Sequence, residues 1–576
     1  MAPLLHLFFA LLVSTLTSVD PALGSSTGRP DLPYNAVILD NATIIGKANG
    51  TVVQYLGIPF AQPPVGQLRL HLPRAVAPYN GTINATNFGN QCIQQTGPPL
   101  NLPNSLPSAA LQYIAVTGAV PQNVPQNEDC LNLNVIVPAT VAAGSRLPVV
   151  VWIYGGGFVS GSNAESEFAS RLHKIIADIP PRLPGENVVA RSIELGHPVI
   201  FVSPNYRVNG FGFLPGKKMK DAGLTNIGLH DQREALRWIQ KYISAFGGDP
   251  AKVMIWGQSA GAMSSALHML HNNGDPDGLF RAAFMESGSP LPTSYVDNPL
   301  CQATFDDFVV NTGCSGSNEP ITCLRNVHTD VFVQAVNKAP ALSDSKQVDL
   351  PWLPRADGDF VEFPPEQQLL AGKIANIPFV AGNVLDEGTL FSFPTLNVTT
   401  DEEFLGYVAG SWFPDAPRSS IRELLKFYPS NVSAGSPFGT GNSFAYTPQY
   451  KRMAALQGDL LFVAPRRLLT QKLAGKQAVY AFLSNQHRVD GLGAPHSTDL
   501  QDVFGAPGGH LQDYLIRFAA TLDPNGDGAF EWPRYTDVAP RLLTLNDAEP
   551  KLEITRDDYR KEAMGYLTRL SLAYPW

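Results

Sequence analysis

A serine set between glycines is the first feature of this chain that could do chemistry. Gly257-Gln258-Ser259-Ala260-Gly261 has the form G-x-S-x-G. In that pattern a sharp strand-to-helix turn lifts a serine hydroxyl clear of a sheet. The pattern needs context, because Gly24-Ser25-Ser26-Thr27-Gly28 matches it too. That copy has no strand before it and no helix after it, and reads as an accident of composition. The copy at Ser259 follows the apolar run Val253–Trp256 and precedes the helix-compatible run Ala262–Leu270. A serine hydroxyl also needs a base to take its proton and donors to hold the resulting oxyanion. Tyr154-Gly155-Gly156-Gly157-Phe158 offers unobstructed backbone N–H groups. Gly156 and Gly157, with the N–H of Ala260, are the candidate donors. For the base, His487, His496 and His510 all follow the last strand-like run, and the residues alone leave the choice open.

The elements that must position these groups read as an α/β protein. Leu147–Tyr154, Pro198–Ser203, Val253–Trp256, Ala282–Met285, Pro378–Ala381 and Ala478–Leu483 are short, continuous apolar runs. Parallel strands buried on both faces have this signature. Leu236, Ile239, Tyr242 and Ile243 share one face of a helix expected over Leu229–Ala245. Ala36–Leu39, Thr43–Ile45 and Val52–Leu56 read as small antiparallel strands. No repeat or linker interrupts the chain, so residues 25–576 are expected to form a single domain.

Composition narrows the function. The 576 residues are 44% hydrophobic and 16% charged, which excludes a disordered chain. The net charge is −9, from 41 basic and 50 acidic residues. Nucleic-acid binding, driven by cationic neutralisation of phosphates, is a poor fit. The apolar run Leu4–Val13, followed by Ala22-Leu23-Gly24, predicts a secretory signal over residues 1–24. Sequons at Asn41, Asn49, Asn80, Asn84, Asn397 and Asn431 agree with secretion. So do five cysteines, enough for two bridges and one remaining thiol. Close spacing favours Cys314 with Cys323; Cys92 with Cys130 is the first choice for the other pair, which spacing leaves open. No Cys/His spacing suggests zinc.

Taken in order along the chain, these residues and others resemble the type-B carboxylesterase/lipase family, which includes cholinesterases and fungal lipases. The resemblance runs through Gly57-Ile58-Pro59-Phe60-Ala61, Glu128-Asp129-Cys130-Leu131-Asn132-Leu133-Asn134-Val135, Asn205-Tyr206-Arg207-Val208, Phe246-Gly247-Gly248-Asp249-Pro250, Glu286-Ser287-Gly288-Ser289 and Asp502-Val503-Phe504-Gly505. Cys92-Ile93-Gln94-Gln95 is similar to the lid of secreted fungal lipases and sterol esterases. The resemblance implies an α/β-hydrolase fold with a large, mostly parallel central sheet flanked by helices, and a disulfide-closed lid. It implies Glu387, in Asp386-Glu387-Gly388-Thr389, as the acid; from the residues alone Asp386 competes with it. It implies His496 as the base, Ser287 as a serine near the triad, and Arg207 with Asp231 as a structural ion pair. It also implies bridges Cys92–Cys130 and Cys314–Cys323, leaving Cys301 outside both. One departure is Gln258, where many relatives carry Glu; a neutral neighbour argues against a preference for choline esters.

The expected activity is therefore a secreted, glycosylated serine carboxylic ester hydrolase without metal or cofactor. The loop between Cys92 and Cys130 carries Leu100, Leu102, Leu106, Leu111, Tyr113, Ile114 and Val116. Such a loop suits a lid over an apolar tunnel and transient contact with a lipid interface, or a packed Ω-loop. Phe158, Phe211, Phe213 and Phe391 are candidates to line an acyl pocket, or to pack the core. Lipophilic esters, such as acylglycerols, sterol esters or other long-chain acyl esters, are the expected substrates. Short-chain or aryl esters are the alternative, as are an amidase and a non-catalytic adhesion protein on the same fold.

Overall fold

Val149, Val150, Val151, Ile255 and Trp256 are all fully buried, as continuous apolar runs must be when helices cover both faces of a sheet. They lie in the computed structural model of the chain, which describes residues 33–117, 124–142, 144–164, 184–345, 350–505 and 508–576. The signal segment 1–24 and the accidental motif at 24–28 lie outside the described residues. Asn35–Trp576 form one compact unit. No described helix is long and apolar enough to cross a membrane.

In chain order the strands are β1 (Ala36–Leu39), β2 (Asn41–Ile45), β3 (Lys47–Asn49), β4 (Val52–Pro59), β5 (Asn80–Asn84), β6 (Asn132–Pro138) and β7 (Leu147–Ile153). They continue with β8 (Ile200–Pro204), β9 (Gly248–Gln258), β10 (Ala282–Glu286), β11 (Phe379–Val384), β12 (Val479–Asn485), β13 (Arg541–Asn546) and β14 (Leu552–Arg556). Eleven of them form one sheet in the order β14-β13-β12-β11-β10-β9-β7-β8-β6-β4-β3. Its middle, from β8 through β7, β9, β10, β11 and β12 to β13, is parallel. The two margins are antiparallel.

Val52–Leu56 is an antiparallel strand as expected, but it extends to Pro59 and pairs with β3 and β6 at the margin of the large sheet. Only β1 and β2 pair antiparallel in the small sheet, where β2 also pairs parallel with β5. The helix expected over Leu229–Ala245 runs from Ile227 to Tyr242 and tightens into a 3₁₀ turn at Ile243–Phe246. Gly247, at φ 85°, ends it there.

The topology decides where chemistry can occur. β7, β9, β10, β11 and β12 are neighbours and parallel, so their carboxyl ends open on one edge of the sheet. Loops from those ends meet in a crevice, where open α/β sheets place their ligands. Trp152, Trp256 and Phe504 lock the sheet beneath it, with ring centroids 4.5 to 4.9 Å apart.

Candidate active site

Ser259 stands at the end of β9 with φ 55° and ψ −125°, a conformation that side chains avoid. Neighbouring structure holds it there. Its N–H donates to the Glu286 carbonyl at 2.9 Å, and the helix Ala260–Leu270 starts at the next residue. Close approach is what makes the turn possible: a Cβ on Gly261 would sit 1.9 Å from the Ile153 carbonyl oxygen. The serine is 8% exposed, so the hydroxyl sits at the floor of the crevice rather than on an open surface.

The glycine loop leaves β7 beside it. Gly156 and Gly157 have φ of 88° and 62°, and a Cβ on Gly156 would meet the Ser160 carbonyl oxygen at 2.4 Å. The N–H groups of Gly156, Gly157 and Ala260 find no hydrogen-bond partner among the described residues. Unengaged donors around a serine are what a developing oxyanion requires.

The candidate acid and base arrive from β11 and β12. His496 Nδ1 lies 2.6 Å from Glu387 Oε2. The other carboxylate oxygen accepts from Asn383 Nδ2 at 3.0 Å and from the Val384 N–H at 3.1 Å. Asn383 is oriented in turn by Arg466 Nε at 3.0 Å, and Arg466 is neutralised by Asp557. Nothing in the local sequence marks Asn383, Arg466 or Asp557, which are far apart in the chain. Asp386 faces the other way. Its carboxylate accepts from Ser436 Oγ and from the N–H groups of Phe438 and Ala494. It therefore braces the loop that carries His496. Phe391 and Phe462 flank the imidazole at 5.1 and 4.6 Å. His487 receives its local order from Asp547, which accepts its backbone N–H, and His510 opens an exposed helix end.

Behind Glu387, Asp499 and Glu286 are buried carboxyls. Burial, then the charge of Glu387, pushes the Asp499 carboxyl up to about 8. Burial, reinforced by Asp499, holds Glu286 well above the usual range. Ser287 is buried and at φ 52°, immediately after β10.

A cavity of about 380 Å³ opens over Ser259, His496 and the glycine loop. Phe158 and Phe391 line it; Phe211 instead packs on Phe332, and Phe213 packs on Phe158 from behind. Of the four candidates, two therefore line the cavity and two pack the core. Eight leucines, among them Leu342, Leu353 and Leu461, contribute to the rest of the wall, beside polar Gln94, Gln95, Ser343 and Thr117. The loop between Cys92 and Cys130 closes one side through Leu100 and Ile114. Part of it is a helix, Ser108–Thr117, whose Tyr113 and Val116 pack with Phe393, Tyr450 and Leu492. Tyr113 Oη donates to the His496 carbonyl at 2.8 Å, tying this helix to the loop that carries His496.

The disulfides are Cys92–Cys130 and Cys314–Cys323, and Cys301 is buried outside both. Arg207 and Asp231 form a buried ion pair, with Nη2–Oδ1 2.6 Å. All six sequon asparagines, 41, 49, 80, 84, 397 and 431, are exposed.

Residues 34–564 match the sequence profile of the carboxylesterase family. Lipase 4 of Diutina rugosa is 38% identical over 93% of this chain and 94% of its own length. Secreted lipase 1 of Botryotinia fuckeliana is 38% identical over 90% of each chain. Among solved structures, Aspergillus niger EstA superposes with a TM-score of 0.76 at 25% identity, covering 94% of this chain and 99% of EstA. The architecture is the α/β-hydrolase fold.

Proposed function

The chain belongs to the carboxylesterase family and is a carboxylic ester hydrolase, and from that premise we propose a secreted, glycosylated Ser-His-Glu enzyme acting on lipophilic esters. Ser259 attacks the ester carbonyl while His496 takes its proton through Nε2. Glu387 fixes the imidazole with Nδ1 protonated and stabilises the imidazolium. Gly156, Gly157 and Ala260 donate to the oxyanion. His496 then protonates the departing alcohol, and water releases the acid from the acyl-enzyme by the same steps in reverse.

The observation that carries this reading is the convergence of Ser259, the glycine loop and His496 on one cavity of about 380 Å³ whose lining is more apolar than polar. Its walls favour an apolar acyl chain over a charged one, because a charge there would lose its hydration without a partner. The Ser108–Thr117 helix over the cavity fits a lid with apolar residues on its inner side. Secretion is supported by the name of the Botryotinia relative. Exposure of Asn41, Asn49, Asn80, Asn84, Asn397 and Asn431 supports their use as glycan sites.

The test is hydrolysis of p-nitrophenyl esters from acetate to palmitate, with tributyrin and a cholesteryl ester beside them. Longer acyl chains are expected to have the higher kcat/KM. Ser259→Ala should remain folded and lose at least about 10⁴-fold in kcat. A preference for acetyl over every longer ester would contradict the substrate assignment, and an active Ser259→Ala would contradict the mechanism.

A further inference from the structure

The base's second nitrogen is already engaged. Gln258 Nε2 lies 3.1 Å from His496 Nε2 and 2.9 Å from Ser497 Oγ. With Nδ1 donating to Glu387 at 2.6 Å, Nε2 carries the lone pair, and the carboxamide N–H donates into it. The reverse placement, with the amide oxygen toward the ring, would force the proton onto Nε2 and leave two acceptors facing each other at Nδ1. The opposite edge of the carboxamide lies toward the glycine loop, since a Cβ on Gly155 would meet Gln258 Oε1 at 3.0 Å.

The backbone of Ser497 adds an independent observation. Its φ is 78°, in the left-handed region that favours glycine. A serine retained there costs backbone energy, and its hydroxyl is the acceptor that anchors the Gln258 amide. Strain held by a side chain in contact with the catalytic base marks a functional constraint.

Resting on the reading above, we propose that Gln258, anchored by Ser497, is a positioning residue that fixes the ring and tautomer of His496 until Ser259 takes its place. In the reacting complex the serine O–H bond breaks as its proton moves to Nε2. The freed Oγ electron pair bonds to the ester carbon, and the carbonyl π pair moves onto oxygen. The Gln258 N–H must leave Nε2 for this to occur, and the Ser497 hydroxyl keeps it within reach for the return. The clasp is neutral. The ionisable groups around the ring are Glu387 at Nδ1, with Asp499 and Glu286 behind it, and Tyr113 on the adjoining helix. Asp386 and its neighbour Arg488 lie on the outer side of the same loop. No charge faces Nε2 from Gln258 or Ser497.

The experiment measures kcat and KM for p-nitrophenyl butyrate against pH in wild type, Gln258→Glu, Ser497→Gly and Ser497→Ala, with thermal unfolding of each. Active sites are counted by burst titration with an organophosphate. In Gln258→Glu a carboxylate beside Nε2 should move the acidic limb of kcat/KM to higher pH by roughly 1–3 units. Both Ser497 variants should lose kcat by roughly tenfold to a hundredfold with KM little changed, the scale expected for a misplaced catalytic group. Ser497→Gly, freed of strain, should melt no lower than wild type, which separates positioning from folding. A Gln258→Glu profile that overlays wild type, or Ser497 variants with wild-type kcat, would overturn the clasp. Wild type that does not titrate at one site per chain would instead overturn the triad reading itself.

Discussion

Glu387→Gln replaces one oxygen by an amide nitrogen, and the surroundings dictate which one. Two donors, Asn383 Nδ2 at 3.0 Å and the Val384 N–H at 3.1 Å, already converge on Oε1. The amide oxygen must stay with them, so the new N–H₂ turns toward His496 Nδ1. An N–H there requires an acceptor, which drives the ring proton from Nδ1 to Nε2. The lone pair that must take the Ser259 proton is then gone, although every atom keeps its place. The equivalent change in a serine protease triad lowers kcat by about 10⁴-fold, which is about 5.4 kcal/mol of transition-state stabilisation. Stability should hardly change, because the substitution is isosteric and removes a buried charge. Asp386→Asn makes the contrasting case. It puts an N–H₂ opposite the Ala494 N–H or the Ser436 and Phe438 donors. It should cost about 1–3 kcal/mol of stability and a smaller share of kcat. Steady-state hydrolysis of p-nitrophenyl butyrate, with thermal unfolding by circular dichroism, reads both. A loss of tenfold or less in Glu387→Gln would refute the tautomer reasoning.

Gly156→Ala should lower kcat by about 10²–10³-fold, because φ is 88° and the new Cβ would meet the Ser160 carbonyl oxygen at 2.4 Å; titration with a transition-state-like phosphonate would show correspondingly slower labelling. Burial pushes the Glu366 carboxyl from 4.5 up to about 8, so its folded form holds a proton that the unfolded chain releases. Stability from this group is present below about pH 4.5 and falls as pH rises toward 8, and Glu366→Gln should raise the melting temperature increasingly across that range. Burial raises the Asp557 carboxyl, but Arg466 and Arg467 outweigh it and hold it well below the usual range. Its contribution is present above the unfolded value near 4 and lost as pH falls below it. Asp557→Asn would leave two buried guanidiniums under-neutralised and cost about 3–5 kcal/mol at pH 7, measurable by urea unfolding.

What could be read in the sequence follows how local each signal is. The buried parallel strands were legible because both their faces are covered, which leaves unbroken apolar runs such as Val149–Val151. The turn at Ser259 was legible because strand, small residues and helix fall within twenty positions. β13 was not, since Thr544 and Asn546 interrupt its apolar pattern. β6 was seen as a motif and not as a strand. The destination of β4 was illegible because pairing with β6 joins residues some eighty positions apart. The same limit governs the site. Asp386 and Glu387 are adjacent in the chain, and what sets them apart is largely distant: Ser436, Phe438 and Ala494 hold the one, and His496 meets the other. The leucines of the Cys92–Cys130 loop were visible, but its helix and the hydrogen bond from Tyr113 to the His496 loop were not.

The most direct measurement is the site of covalent capture. Diethyl p-nitrophenyl phosphate reacted with the folded enzyme should add one diethylphosphoryl group per chain, located by peptide mass spectrometry on Ser259, and inactivation should track its incorporation. His496→Ala should slow that labelling by orders of magnitude while leaving the fold intact. Stoichiometric label on any other residue, or full-rate labelling without the imidazole, would contradict the account.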